Sequence, residues 1–144
     1  MESIDEIMDM LDWNNPPEVQ ERGRMLARNI RCINVFLQPG HPGHGKNVWD
    51  NCALILAERT DQELHPYLFE LFEWLSDMNW PGAICIFERL LRYQEEDWLN
   101  SVLSHSIKEA QLLCDECWLD YLLEFQQSRQ NHDRGFRQAP QDRP

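Results

Sequence analysis

Cys114 and Cys117, three residues apart in the string CDEC, are the pair in this sequence with the most direct chemistry. A C-x-x-C supplies either a redox dithiol or half of a zinc site. A closed zinc site needs four ligands, and the closely spaced histidines are His41 and His44 in PGHPGHGK, so that reading requires the loop to fold against the last helix. No βαβ pattern surrounds CDEC, and Asp115 and Glu116 between the thiols oppose a reactive thiolate. The expectation is helix-start packing, with no metal and no cofactor. The same loop puts glycines ahead of a helix, where backbone N–H groups can cradle phosphate. It lacks the G-x-x-x-x-G-K-[ST] spacing, however, Lys46 is followed by Asn47, and no strand precedes it. His105 stands between Ser104 and Ser106, but adjacent residues on a helix point about 100° apart and do not form a nucleophile and its base. Paired carboxylates are everywhere in so acidic a chain, so none of them singles out a site.

The 144 residues hold 25 acidic and 13 basic side chains, a formal net charge of −12. Phosphate binding draws on Lys and Arg, so duplex nucleic acid and anionic membranes are excluded as primary partners. The excess belongs to the body, at −14 over residues 1–128, while residues 129–144 carry four Arg and two Asp. Glu63, Glu70, Glu73 and Asp77 recur at helical spacing opposite Leu64, Leu68 and Leu71, giving a negative ridge that would steer a basic partner. A solvated helix face produces the same pattern. Trp is enriched in interface hot spots, and there are six here. Trp49, Trp74, Trp98 and Trp118 fall in or beside core stripes and are expected inside. Trp80, in MNWPG, is the one a partner could reach.

Those residues need a scaffold, and the pattern is helical. Hydrophobic residues at 42% and charged residues at 26% fit a soluble globular chain. A short helix over Ile4 to Leu11 precedes Asn14 and Asn15, which suit a cap for a helix from Pro16 to Ile30. Gly23 weakens that helix unless close packing explains it. CINVFL, 32–37, reads as helical or extended packing, and the loop from Pro39 to Lys46 follows. Asn47 to Arg59 reads as a helix, apolar nearly all round from Cys52 to Ala57 and so central. Thr60 or Asp61 caps a helix to Leu75 in which Pro66 marks the true start or a kink. Pro81 opens a helix to Tyr93 with Ile84, Phe87, Leu90 and Leu91 on its face. Leu99, Val102, Leu103, Ile107 and Ala110 line the next helix, and a break near Asp115 starts the last, with Trp118, Tyr121, Leu122 and Phe125 inward. The pairs 47–77 and 78–110 are of similar length, which points to helical repeats. The expected fold is all-α, a short HEAT-like α-α solenoid over residues 1–130, with an irregular helical bundle as the alternative and a disordered tail over 131–144.

The strings NVWDNCA, PYLFELFEWL and DMNWPGA, between Asn47 and Ala83, resemble a family of small bacterial proteins catalogued as a domain of unknown function. The likeness runs from about Asn14 to Phe125. It implies an all-helical, HEAT-like fold and a bacterial source, and it carries over no activity or catalytic residue. No stretch approaches the ~20 apolar residues of a membrane span. The N-terminus is acidic where a signal peptide is basic, and five cysteines suit reduced thiols, so a cytoplasmic address is expected. The function expected is a non-catalytic protein-binding module, an inhibitor or immunity-type protein for a basic partner, using Glu63, Glu70, Glu73, Asp77 and Trp80. The alternatives are a small metal-dependent or hydrolytic enzyme using the loop histidines and cysteines, and a self-associating structural protein.

Overall fold

Ser3 opens the first helix, α1 (Ile4–Met10), by accepting the Glu6 backbone N–H at 3.1 Å on its hydroxyl. The computed structural model describes residues 3–39 and 44–138, and every regular element in them is helical, as expected. α2 (Pro17–Ala27) starts one residue later than the sequence suggests, with Pro16 as its cap. Asn15 instead donates to the carbonyls of Asp9 and Met10 at 2.7 and 3.2 Å, satisfying the end of α1. Gly23 is explained by packing. A Cβ there would lie 2.8 Å from Met10 Cβ and 3.0 Å from Leu11 Cδ2, so the missing side chain lets α1 cross α2 closely.

CINVFL becomes a single 3-10 turn, Ile33–Phe36, whose Ile33 and Phe36 are buried. Another turn, Lys46–Val48, leads into α3 (Trp49–Ala57). The helix expected from Asp61 to Leu75 is broken at Pro66. α4 (Asp61–Leu64) ends in a 3-10 turn at His65–Tyr67, α5 (Leu68–Glu73) follows, and Trp74–Ser76 closes the segment as a second 3-10 turn. Proline has no N–H for the helix ladder and crowds the preceding turn, which accounts for the break. α6 (Ala83–Leu91) is capped by Gly82, and α7 (Glu96–Leu112) and α8 (Glu116–Gln138) follow. The break near Asp115 stands where the sequence places it. α8 runs on past Asn131, where the sequence places the start of a tail, to Gln138. No proline interrupts it, and Arg129 ties it down by donating to the Leu91 carbonyl at 2.5 Å. Residues 139–144 lie outside the described residues.

α2, α3, α6 and α8 each pack on the next, and α7 packs on both α5 and α8, so the core lies between two rows. It centres on Trp74, Phe36, Phe72 and Phe125, with Tyr93 at its edge, all at most 1% exposed. Each such side chain contributes on the order of 1.5–3 kcal/mol through burial.

Three arginines tie the row of α2, α3, α6 and α8 together end to end. Arg59 donates to the carbonyls of Ala27 and Ile30 at 2.7 and 2.9 Å, closing the end of α2. Arg89 donates to the carbonyls of Ala57 and Arg59 at 3.1 and 2.9 Å and to Asp61 Oδ1 at 2.6 Å, closing α3. Arg129 does the same for α6. A cation at a helix C-terminus meets both the orphan carbonyls and the negative end of the helix dipole.

Candidate functional site

The residues of the acidic ridge do different work. Glu63 is held in a capping box, its carboxylate accepting from the Thr60 N–H at 3.2 Å and from Arg59 at 3.0 Å. Those contacts, led by the Thr60 N–H, hold its carboxyl below the usual carboxylate range. The Asp77 carboxylate accepts the Asn79 N–H at 2.8 Å and shapes the turn before Trp80. Glu70 and Glu73 alone share a surface, a cavity of about 190 Å³ lined with Asn34, Val35, Leu37, Gln38 and Pro39. Burial first, then the Glu70 and Glu109 carboxylates, pushes the Glu73 carboxyl up. One Glu70 oxygen, Oε2, is buried with no hydrogen-bond partner among the described residues.

Trp80 is half-buried, its ring edge-on to Trp49 at 5.4 Å, and Trp49 in turn meets Trp74 at 6.1 Å. Trp74 donates to the Pro81 carbonyl at 3.0 Å, and Gly82 sits at φ +83°. A Cβ at Gly82 would stand 2.7 Å from Ala53 Cβ, so DMNWPGA is a turn that only glycine can close against α3.

That turn walls a groove between α3 and α6. Two cavities of about 520 and 330 Å³ meet at Cys85. The first is lined by Leu54, Glu88, Leu91, Arg92 and His132, the second by Asp50, Met78, Trp80 and Ile84. Ile84, which the sequence places on the inward face of its helix, is 63% exposed, and Leu54 is 44% exposed. The buried face of α6 carries Ala83, Ile86 and Leu90 together with Arg89. The signal was there to find: from Cys52 to Ala57 α3 is apolar nearly all round, more than one buried face requires. Burial and the Glu88 carboxylate push the Cys85 thiol up, Arg92 opposes them, and Asp50 adds to the rise.

The cysteines of CDEC do not pack. Both are exposed, and Leu112 and Leu113 beside them are 80% and 63% exposed. The Cys114 N–H donates to the Gln111 carbonyl and the Asp115 N–H to the Ala110 carbonyl, a Schellman end to α7 with Cys114 at φ +56°. The Asp115 carboxylate then accepts the Trp118 N–H and starts α8, so the two thiols lie on either side of a helix cap. His44 reaches Asp9 at 3.4 Å, and His41 lies outside the described residues. Among the described residues no three His, Cys, Asp or Glu side chains converge as a metal site requires.

Trp98, expected inside, is 36% exposed, stacked on His65. His105 is exposed beside Phe69, while Ser106 is buried and bonded to the Val102 carbonyl. Among the described residues no helix is long and apolar enough to cross a membrane. No curated protein and no solved structure matches the chain. The model of a domain of unknown function, DUF5071, matches residues 46–137, from the approach to α3 through almost all of α8. That span is more than half of the sequence and contains both the groove and the DMNWPGA turn, and the chain belongs to this family.

Proposed function

We propose that the protein is a non-catalytic docking module that holds a basic, amphipathic segment of another protein in the α3–α6 groove. The observation that carries this reading is the exposure of Ile84 and Leu54 between the Trp80 wall and the Asp50 and Glu88 carboxylates. Apolar side chains left open beside Asp50 and Glu88, in a groove that Arg92 and His132 also line, suit a helix with one apolar stripe and flanking Lys or Arg, and the net charge of −12 would steer its approach. A short HEAT-like solenoid is the architecture this reading favours. The recurrent arginine clamps support it, since Arg59 and Arg89 each reach the carbonyl 32 residues back. Five free cysteines suit a reducing compartment such as a bacterial cytoplasm.

The test is capture from a bacterial lysate by the wild type, by Ile84→Asp and by Glu63→Gln, at low and high salt. One near-stoichiometric basic protein held by the wild type and Glu63→Gln, released by salt and lost from Ile84→Asp, is the expected result. A partner retained by Ile84→Asp, or none recovered, overturns the reading. A second reading, self-association, is favoured by Leu112 and Leu113 at the α7–α8 corner, and a concentration-dependent mass abolished by Leu112→Lys would support it.

A further inference from the structure

We propose that the cavity between α5 and α7 binds a small organic cation with a methylated ammonium head, of the choline type. This site shares no residue with the α3–α6 groove and does not depend on the docking reading. The cavity measures about 300 Å³, and two pairs of rings line it. His65 lies flat on Trp98 at 4.5 Å with 9° between the planes, and Phe69 meets His105 at 5.2 Å and 54°. Trp98 and His105 stand seven positions apart on one face of α7, and the break at Pro66 turns His65 and Phe69 toward the same space.

The rings are held in place before any ligand arrives. Trp98 Nε1 donates to the His65 carbonyl at 2.9 Å, and His65 Nδ1 lies 3.2 Å from Glu95 Oε2 and 3.4 Å from the Tyr93 hydroxyl. Leu68 and Val102, both buried, supply an apolar floor. Trp98 nevertheless leaves about a third of its surface open.

Charge selects among the ligands that rings can hold. No Lys or Arg lines the cavity, Glu95 stands against His65, and Glu96 and Asp97 open α7 beside it. An anion meets this acidic field unfavourably. A neutral apolar molecule gains from the floor and nothing from the field. A methylated ammonium gains from both, because its methyl surface is apolar and its charge is attracted to the negative ring faces and to Glu95.

The experiment is a heteronuclear NMR titration of the full chain at pH 8 and constant ionic strength. The probes are choline chloride and 3,3-dimethylbutan-1-ol, which has the same shape without the charge. Trp98→Phe identifies the Trp98 indole resonance. Choline should move that resonance and bind roughly tenfold more tightly than the alcohol. Glu95→Gln should weaken choline and leave the alcohol unchanged, and Trp98→Ala, checked for retained amide dispersion, should abolish both. Equal affinity for the two probes, choline binding unaltered in Glu95→Gln, or a Trp98 resonance that choline does not move overturns the proposal.

Discussion

Gly82 is where a single residue decides most. Its φ of +83° lies in the region that favours glycine, and a Cβ would also stand 2.9 Å from the Trp49 carbonyl oxygen. Strain and overlap act together, so Gly82→Ala should cost about 2–4 kcal/mol in urea unfolding. The same turn fixes Trp80, so the variant should also expose its indole and red-shift the fluorescence. Thiols give a second prediction at this scale. Cys52 is fully buried, and burial pushes its thiol up to about 12, against a lowering by the Gln38 hydrogen bond. Cys32, Cys114 and Cys117 are exposed. An aromatic disulfide reagent at pH 8 should label those three within minutes in the native protein. Cys52 should react only after denaturant is added, and native labelling of Cys52 would show that the α3 packing is looser than described.

Helix ends, more than helix interiors, organise the elements. Arg89 is 7% exposed and serves two carbonyls and Asp61, so Arg89→Ala removes the partner of three partly buried acceptors. It should cost about 3–5 kcal/mol, whereas Arg28→Ala, which removes an exposed pair with Glu58, should leave the unfolding midpoint nearly unchanged. Cys114 works in the opposite direction. It occupies the left-handed position of the α7 end, where glycine is strain-free, so Cys114→Gly should stabilise by about 1 kcal/mol in the same experiment. The sequence makes some of this legible. Periodicity locates α3, α6, α7 and the Asp115 break, and the Gly23 anomaly announces a close helix crossing. It does not show which apolar residues would be left outside. Ile84 and Trp98 lie on stripes that look like core, and only the packing of neighbouring helices decides how much of each stripe is covered. The ridge assumes the spacing of one continuous helix, and Pro66 divides it. The ring-lined cavity escapes sequence reading altogether, since it joins residues 65–69 to 98–105 across two elements.

Across the whole molecule the acid excess has two opposite effects, and Glu63 and Glu73 separate them. Both were read as one negative face. Glu73 has its carboxyl raised by burial, then Glu70, then Glu109. A raised folded value means the folded state holds the proton more tightly than the unfolded chain. Its contribution is fullest below the ordinary value of about 4.3 and is lost as pH rises through the folded value. Glu63 is lowered, chiefly by the Thr60 N–H, so its contribution is present above the ordinary value and is lost as pH falls through the folded one. Both groups are partly open to solvent, which screens the effects and keeps them modest. Glu73→Gln should therefore melt at a higher temperature than the wild type at pH 7, with the gap closing by pH 4. Glu63→Ala should melt lower at pH 7, and part of that loss should also shrink at acid pH. Added salt should narrow the Glu73→Gln gap, because it screens the repulsion from Glu70 and Glu109 but leaves burial unchanged. If Glu73→Gln instead lowers the melting temperature at pH 7, the carboxylate has a cationic neighbour in solution and the Glu70–Glu73 surface is not a cluster of like charges.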